Sequence, residues 1–337
     1  MIAMYANHLA ECGHQVTIKA NVVDSVFPLD DKVTIAPLKY HGKIGAIFSA
    51  IFESSDADFI IADIVAMVCL LSLFNRRKVI CFAQDYDESY YSNRLQQLFI
   101  RFLYFLGLTL FRIKTIAVST SLAELLRCRF GADVSVVENG IDTDMFYVDP
   151  LLELMSRKDG RKALLLHSRT DYRKGFDLAV KVIKQLQSKS TVPLEIWTVG
   201  EPAQGLFSGY LQRDFGYVGE ADLRHIMSSA DVFFYPTRHE GFGLMPLEAM
   251  ACGCAVVTTT AVPFAVHEDN ALVAEIGDCA AMTEYLITLL ADENLANRLV
   301  ESGKQLTSKY KLSAAARQFE MTLSTIRRKK TFSSKEQ

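Results

Sequence analysis

Short apolar runs alternate with helical patterns along almost the whole chain, and no other feature restricts the fold as much. In the first half these runs are Val16 to Ile18, Phe59 to Ala62, Val79 to Phe82, Thr115 to Val118 and Val134 to Val137. In the second half they are Ala163 to His167, Leu194 to Val199, Phe215 to Val218, Val232 to Tyr235 and Ala255 to Thr258. Between them apolar residues recur at helical spacing, as in Asp177 to Gln187 and Ala221 to Ser229. Strands that are apolar throughout and separated by helices belong to parallel sheets covered on both faces. The expected fold class is therefore α/β, with doubly wound, Rossmann-like sheets.

The rhythm breaks between 143 and 160, where Asp144-Met-Phe-Tyr-Val-Asp-Pro-Leu151 gives way to Ser156-Arg-Lys-Asp-Gly160. The break reads as an interdomain linker. It predicts one domain over 1–150, a second over 160–315, and a terminal helix with a basic tail over 316–337. A chain of 337 residues accommodates two domains of about 150 residues each. Doubly wound sheets bind ligands outside the carboxyl ends of their strands, so two such domains would face a cleft.

Composition narrows the function. With 50% hydrophobic residues the chain has ample apolar surface to bury, which excludes a disordered tail protein. Its 36 basic and 39 acidic residues give a net charge of −3 and no general pull on nucleic acid. An anionic ligand must be met by a few placed cations. Seven cysteines occur without a Cys-x-x-Cys pair, so no zinc framework is expected. Cys252 and Cys254 read as buried, reduced thiols suited to a reducing cytosol. Met1-Ile-Ala-Met-Tyr5 has no basic leader and no apolar run is long enough to span a bilayer, so a cytoplasmic location is expected. The helix expected over Leu95 to Phe111 carries Arg101 and is followed by Arg112 and Lys114. Burial is its ordinary reading, and peripheral contact with a membrane surface is the other. The basic run Arg327 to Lys330 carries the same alternative of attraction to anionic lipid.

Two segments carry chemistry. In Glu240-Gly-Phe-Gly-Leu-Met-Pro-Leu-Glu248, carboxylates eight residues apart flank two glycines and the start of a helix near Leu244. Gly241 and Gly243 let backbone amides approach a ligand, and the free amides of a helix N-terminus favour phosphate. Glu248, early in that helix, is suited to accept hydroxyl hydrogen bonds from a ribose. The second segment is His167-Ser-Arg-Thr-Asp-Tyr-Arg-Lys-Gly175, lying between a buried strand and an amphipathic helix. There Arg169 offers a forked cation and Lys174 a point charge for a diphosphate.

Taken in order, Asn139-Gly-Ile-Asp142, then Arg169 with Lys174-Gly175, then Glu240-Gly-Phe-Gly-Leu-x-Pro-Leu-Glu248-Ala-Met-Ala-x-Gly253 resembles the retaining, nucleotide-sugar-dependent glycosyltransferases of family 4, which have the GT-B fold. The resemblance covers about residues 5 to 310. Gln84-Asp-Tyr-Asp-Glu-Ser-Tyr-Tyr91 is similar to a segment of rhamnosyltransferase-like members that build bacterial surface polysaccharides. The resemblance implies that Arg169 and Lys174 hold the donor diphosphate and that Glu248 binds the ribose. It implies that Glu240 contacts the transferred sugar, with the amides of Phe242, Gly243 and Leu244 lining its pocket. Tyr217 and Val218 fall where the family contacts the base. Gln84 and Asp85 fall on the acceptor side and Asn139 beside the hinge. It implies a nucleotide-sugar donor, a saccharide or lipid-linked acceptor, no cofactor and no metal, and it leaves the oligomeric state open.

The sequence also departs from the family pattern. Met1 to Glu11 already reads as the first helix, leading into Cys12-Gly-His14, so the family's first strand and glycine-rich loop are missing from the expected order. After Val257, Thr258-Thr-Thr-Ala-Val-Pro263 stands where the family has glycines and a glutamate. Two other functions therefore stay open: a non-catalytic glycosyltransferase-like partner protein, and a nucleotide-sugar epimerase of the same architecture. Asp85-Tyr-Asp87 matches a metal-binding pattern of a different glycosyltransferase fold, with structural hydrogen bonding as its alternative.

Overall fold

The computed structural model describes residues 1–20, 29–40, 42, 45, 47–49 and 56–333. The chain forms two units, one of Met1–Asn139 with Leu312–Gln337 and the other of Gly140–Lys311. The terminal helix thus belongs to the first unit.

In the first unit, α1 (Ile2–Glu11) precedes the parallel pair β1 (Val16–Ala20) and β2 (Val33–Pro37). Ala6 and Ala10 of α1 are small enough to sit against Val33, and together they form one small core. A second, four-stranded parallel sheet runs in the order β3 (Ile60–Ala62), β4 (Val79–Ala83), β5 (Lys114–Ala117), β6 (Val134–Val136). Helices α2 (Val65–Asn75), α3 (Arg94–Tyr104) and α4 (Thr120–Phe130) connect its strands. Asn93 accepts the Leu95 amide at the start of α3, and Ser119 accepts the Leu122 amide at the start of α4, which satisfies amides that a helix leaves open. The helix expected over Leu95 to Phe111 is not one regular helix: α3 ends at Tyr104 and a π-helical turn covers Phe105–Leu110. Nor is it fully buried. Ile100, Leu103 and Tyr104 face the core, whereas Leu95, Leu98, Phe99, Phe102 and Phe105 are exposed. The terminal helix α11 (Leu312–Ser333) completes this unit, with Phe319 stacked on Tyr5 at 4.6 Å and edge-on to Phe82 at 5.3 Å.

The second unit holds α5 (Leu152–Arg157), β7 (Lys162–Ser168), α6 (Phe176–Lys189), β8 (Leu194–Gly200), β9 (Leu211–Asp214), α7 (Glu220–Ser229) and β10 (Val232–Tyr235). It continues with α8 (Leu244–Ala251), β11 (Ala255–Thr259), β12 (Leu272–Ala274), α9 (Cys279–Ala291) and α10 (Glu293–Thr307). Its six strands are all parallel, in the order β12-β11-β10-β7-β8-β9. Leu164, Leu166, Ile196, Phe234 and Val257 of the sheet pack against Val182, Ile183 and Leu186 of α6 and Met282 and Leu286 of α9. Burial of each such side chain contributes about 1.5–3 kcal/mol, so this core outweighs any surface ion pair in holding the unit together. The charged stretch read as a linker is tied down here: Lys158 pairs with Asp231 at 2.8 Å, and Ser228 and Ser229 accept the amides of Asp149 and Leu151.

One expected strand is corrected. Phe215 to Val218 is not extended; the strand is Leu211–Asp214, because Gly216 turns the chain with φ +66°. Cys252 and Cys254 are buried and free, as expected.

Candidate functional site

The six-stranded sheet reverses its winding between β7 and β10. From β7 the chain steps outward to β8 and β9, then returns to the other side of β7 with β10 and continues to β11 and β12. At such a reversal the loops after the two central strands diverge and leave a crevice at the strand carboxyl ends. The loop 169–175 follows β7 and the loop 236–243 follows β10, so both chemical segments of the sequence open at the same place.

The two loops are tied together by hydrogen bonds. Asp171 accepts the Arg173 amide at 3.0 Å and holds the Arg173 guanidinium at 2.6 Å, which shapes the turn Tyr172–Lys174. The Arg173 carbonyl accepts the Arg238 amide at 2.6 Å and the Thr237 hydroxyl at 2.9 Å. Arg238 forks onto Asp177 at 2.6 and 2.7 Å and lies 4.0 Å over the Tyr172 ring. Gly175 is required at this junction: it has φ +68°, and a Cβ there would stand 1.9 Å from the Pro236 carbonyl oxygen.

At the centre, Lys174 Nζ donates to both Glu240 oxygens, at 2.9 and 3.1 Å. Tyr235 and Thr237 hydroxyls donate to the same carboxylate, at 2.8 and 2.9 Å. The side chains of Lys174 and Glu240 are only 16% and 8% exposed, so this is a shielded ion pair rather than a solvated contact. Burial and the Glu240 charge hold the Tyr235 phenol well above its usual range, so it remains a donor. His167, at the end of β7, lies 6.2 Å from the Tyr235 ring. Burial first, then the charges of Lys174 and Arg169, push its pKa down to about 4, so the imidazole is neutral at pH 7. Its Nδ1 is buried without a hydrogen-bond partner among the described residues. Arg169 is exposed at the mouth of the same loop.

Glu240 leads into α8. Gly243, with φ +93°, begins this helix without a side-chain cap, and a Cβ on it would meet Val262 at 3.3 Å and Glu240 at 3.8 Å. Phe242 anchors the turn, 5.4 Å from Phe264 and 5.5 Å from Tyr310. Glu248 sits one turn into α8, and its pKa is pushed up to about 7, by desolvation first and by the Glu220 carboxylate second. Glu220 begins α7, directly after the loop that carries Tyr217 and Val218; Tyr217 is 81% exposed. An ionisable carboxylate, an exposed ring, two cations and an uncapped helix start are thus grouped around one sheet reversal. That set can bind a phosphorylated, hydroxyl-rich ligand.

Residues 161–292, which span both loops and the reversal, match the family model described as Glycosyl transferases group 1. The chain is similar to the phosphatidyl-myo-inositol mannosyltransferase of Mycobacterium tuberculosis, with 30% identity over 214 residues, 58% of this chain and 55% of the relative. It is also similar to the O-antigen chain mannosyltransferase B of Escherichia coli, with 38% identity over 101 residues, 29% of this chain and 26% of the relative. The chain spans about half the length of the mycobacterial relatives it matches. Among solved structures, sucrose-phosphate synthase from Thermosynechococcus elongatus superposes with a TM-score of 0.77 at 16% identity, covering 96% of this chain and 92% of that one. WaaG, a glycosyltransferase of lipopolysaccharide biosynthesis, gives a TM-score of 0.72 at 17% identity, covering 94% and 93%. The fold is GT-B, as the resemblance implied.

Within the matched residues, the structure brings Lys174 and Glu240 into direct contact and sets Gly243, at the start of α8, beside Glu240. Arg169 is at the loop mouth, and Glu248 is grouped with the 217–220 loop. Gln84, Asp85 and Asn139 belong to the other unit. There Gln84 donates to Asp63 at 3.2 Å, Asp85 accepts the Tyr86 amide at 2.8 Å, and Asn139 accepts from Tyr5 at 3.3 Å. Asp87 accepts the Val65 amide at 2.8 Å at the start of α2, which is the structural alternative for the Asp-x-Asp pattern. Sequence reasoning gave no role to Tyr235, Thr237 or His167. The signal that finds them is their place at or just past the carboxyl ends of β7 and β10.

Proposed function

We propose that this chain transfers a glycosyl group from a nucleotide-sugar donor to a saccharide or lipid-linked acceptor, with retention of configuration, in the assembly of a bacterial surface polysaccharide or glycolipid. The observation that carries the reading is the Lys174–Glu240 pair at the sheet reversal, within the residues that match the group 1 glycosyl transferase model. Relatives named as mannosyltransferases of phosphatidylinositol and of O-antigen support it, as does a similar fold, HepE, solved with UDP and glucose.

In this reading Lys174 and Arg169 meet the diphosphate, where negative charge grows as the glycosyl bond breaks, without recourse to a metal ion. Cations and helix amides set in place beforehand stabilise that charge at no reorganisation cost. Glu240 faces the sugar, Glu248 accepts from the ribose, and Tyr217 with Val218 bounds the base. Gln84, Asp85 and Asn139 serve the acceptor side. The acceptor hydroxyl arrives on the face the diphosphate leaves, which preserves the anomeric configuration.

A lipid acceptor fits the outward face of α3. Leu95, Leu98, Phe99, Phe102 and Phe105 form an exposed apolar stripe, with Leu73 and Phe74 of α2 also exposed in the same unit and Arg94, Arg76 and Arg112 among the exposed cations. Among the described residues no helix is long and apolar enough to cross a membrane. The stripe instead suits peripheral contact with anionic lipid, on the cytoplasmic side of the inner membrane.

A thermal-shift panel of nucleotide sugars, followed by calorimetry and a transfer assay with the best donor, tests the proposal. One nucleotide diphosphate sugar should stabilise the protein and bind at least about tenfold less well after Lys174→Ala. Failure of every nucleotide sugar to bind would refute it, and binding with no transfer to any acceptor would favour the non-catalytic partner. Leu98→Glu with Phe102→Glu should abolish flotation with phosphatidylglycerol vesicles and leave donor affinity unchanged.

A further inference from the structure

In the first unit, the carboxyl end of α1 gathers donors of nitrogen, sulfur and oxygen. His8 and Cys12 are one helical turn apart, so both side chains lie on the same face. Beyond Cys12 the chain reverses at Gly13, with φ +87°, and the His14 amide returns to the Leu9 carbonyl at 3.0 Å. That turn brings His14 back to the helix end. Glu320 of α11 arrives at the same point, on a helix fixed there by the neighbouring Phe319 stacked on Tyr5.

Distances define the cluster. Cys12 Sγ is 3.7 Å from His8 Nε2, and Glu320 Oε2 is 3.5 Å from His8 Nε2. The three donor atoms of His8, Cys12 and Glu320 all lie within 4.8 Å of one another. The other carboxylate oxygen, Oε1, is 3.0 Å from His14 Nε2. Donors around a tetrahedral zinc ion, bound at about 2.0–2.3 Å, stand about 3.3–3.8 Å apart. The His8–Cys12 and His8–Glu320 separations fall at that spacing, and a bound ion would draw Cys12 and Glu320 to it.

We propose that His8, Cys12 and Glu320 form a binding site for a thiophilic divalent cation, zinc, with His14 or a water as fourth ligand. A thiolate and imidazoles disfavour magnesium and calcium, which take oxygen ligands. The Cys12 thiol releases its proton to solvent as the metal–sulfur bond forms. The bound ion would clip α11 to α1, joining the last helix of the chain to the first. The sequence reading expected no zinc site because it looked for paired cysteines. A His-x3-Cys turn completed by a glutamate 306 residues from His14 escapes that search.

Zinc(II) titration of the apo-protein by calorimetry tests this, with cobalt(II) as a spectroscopic substitute. One equivalent of zinc should bind and raise the melting temperature, reversibly with a chelator, while magnesium has no effect. Cobalt should give a thiolate charge-transfer band. Cys12→Ser should remove that band and weaken zinc binding at least about tenfold, and Glu320→Gln should weaken zinc binding while keeping the band. Cys128→Ser, at the other exposed cysteine, should change neither. A band or affinity untouched by Cys12→Ser, or stabilisation by magnesium equal to that by zinc, would overturn the site.

Discussion

The four-stranded sheet of the first unit and the six-stranded sheet of the second are both parallel, yet among the described residues only the second is wound in two directions. In the first the strands follow chain order, β3-β4-β5-β6, so successive loops sit side by side along one edge. In the second the order reverses at β7, and the loops that follow β7 and β10 meet there, joined by the Lys174–Glu240 pair. The same local material, apolar strands joined by capped helices, therefore yields a charged, shielded ion pair in one unit. In the other the polar residues past the strand ends bond to one another or to neighbouring segments, Gln84 to Asp63 and Asn139 to Tyr5 of α1. Topology, more than composition, decides where polar groups can be held out of water and still be available to a ligand.

The most disruptive way to break this contrast is Gly175→Ala. Its Cβ would collide with the Pro236 carbonyl, so the crevice loops must separate. A loss on the order of 3 kcal/mol or more is expected in denaturant melts. Gly13→Ala in the first unit has the same sign of φ but meets nothing within 4 Å, and should cost only about 1 kcal/mol. Equal losses would mean that the crevice junction is no more constrained than an open turn. Next in size, Lys174→Ala strands the Glu240 carboxylate and removes a phosphate donor, and nucleotide diphosphate affinity should fall by about 1.5–3 kcal/mol in calorimetry. Arg101→Ala, which breaks the pair with Glu88 in the first unit, should leave that affinity unchanged.

The mildest test is pH. Glu248 is raised to about 7, so the folded protein holds this proton where the unfolded chain has lost it. Its share of stability is full at low pH and declines up to about pH 7. Ribose hydroxyls prefer the ionised form, so nucleotide-sugar affinity should rise about tenfold from pH 6 to pH 8. Glu248→Gln should flatten that profile, and a profile that stays steep in this variant would remove Glu248 from the site.

Much of this was readable in the residues. β7, β8, β10 and β11 are almost wholly buried, so their uninterrupted apolar runs mark them plainly. β9 is mostly polar and lies at the sheet edge, and its neighbour Phe215 to Val218 looked more strand-like until Gly216 turned the chain. Lys174 and Glu240 stood out because charges beside glycines have few structural uses. Tyr235 and Thr237 did not, because a tyrosine ending an apolar strand and a threonine after it look like core and turn. Their importance depends on strand order, which no local pattern encodes. The outward stripe of α3 was ambiguous for a related reason: apolar residues on most sides of a helix do not say which side the rest of the unit covers.

The placement of α11 has a consequence for how the molecule is made. The Tyr5–Phe82 contact gains its third ring, Phe319, only from the far end of the chain. During synthesis, residues 140–311 leave the ribosome as one unbroken stretch and can close their own core at once. The earlier-made unit must wait, with Tyr5 and Phe82 uncovered, until the last helix emerges.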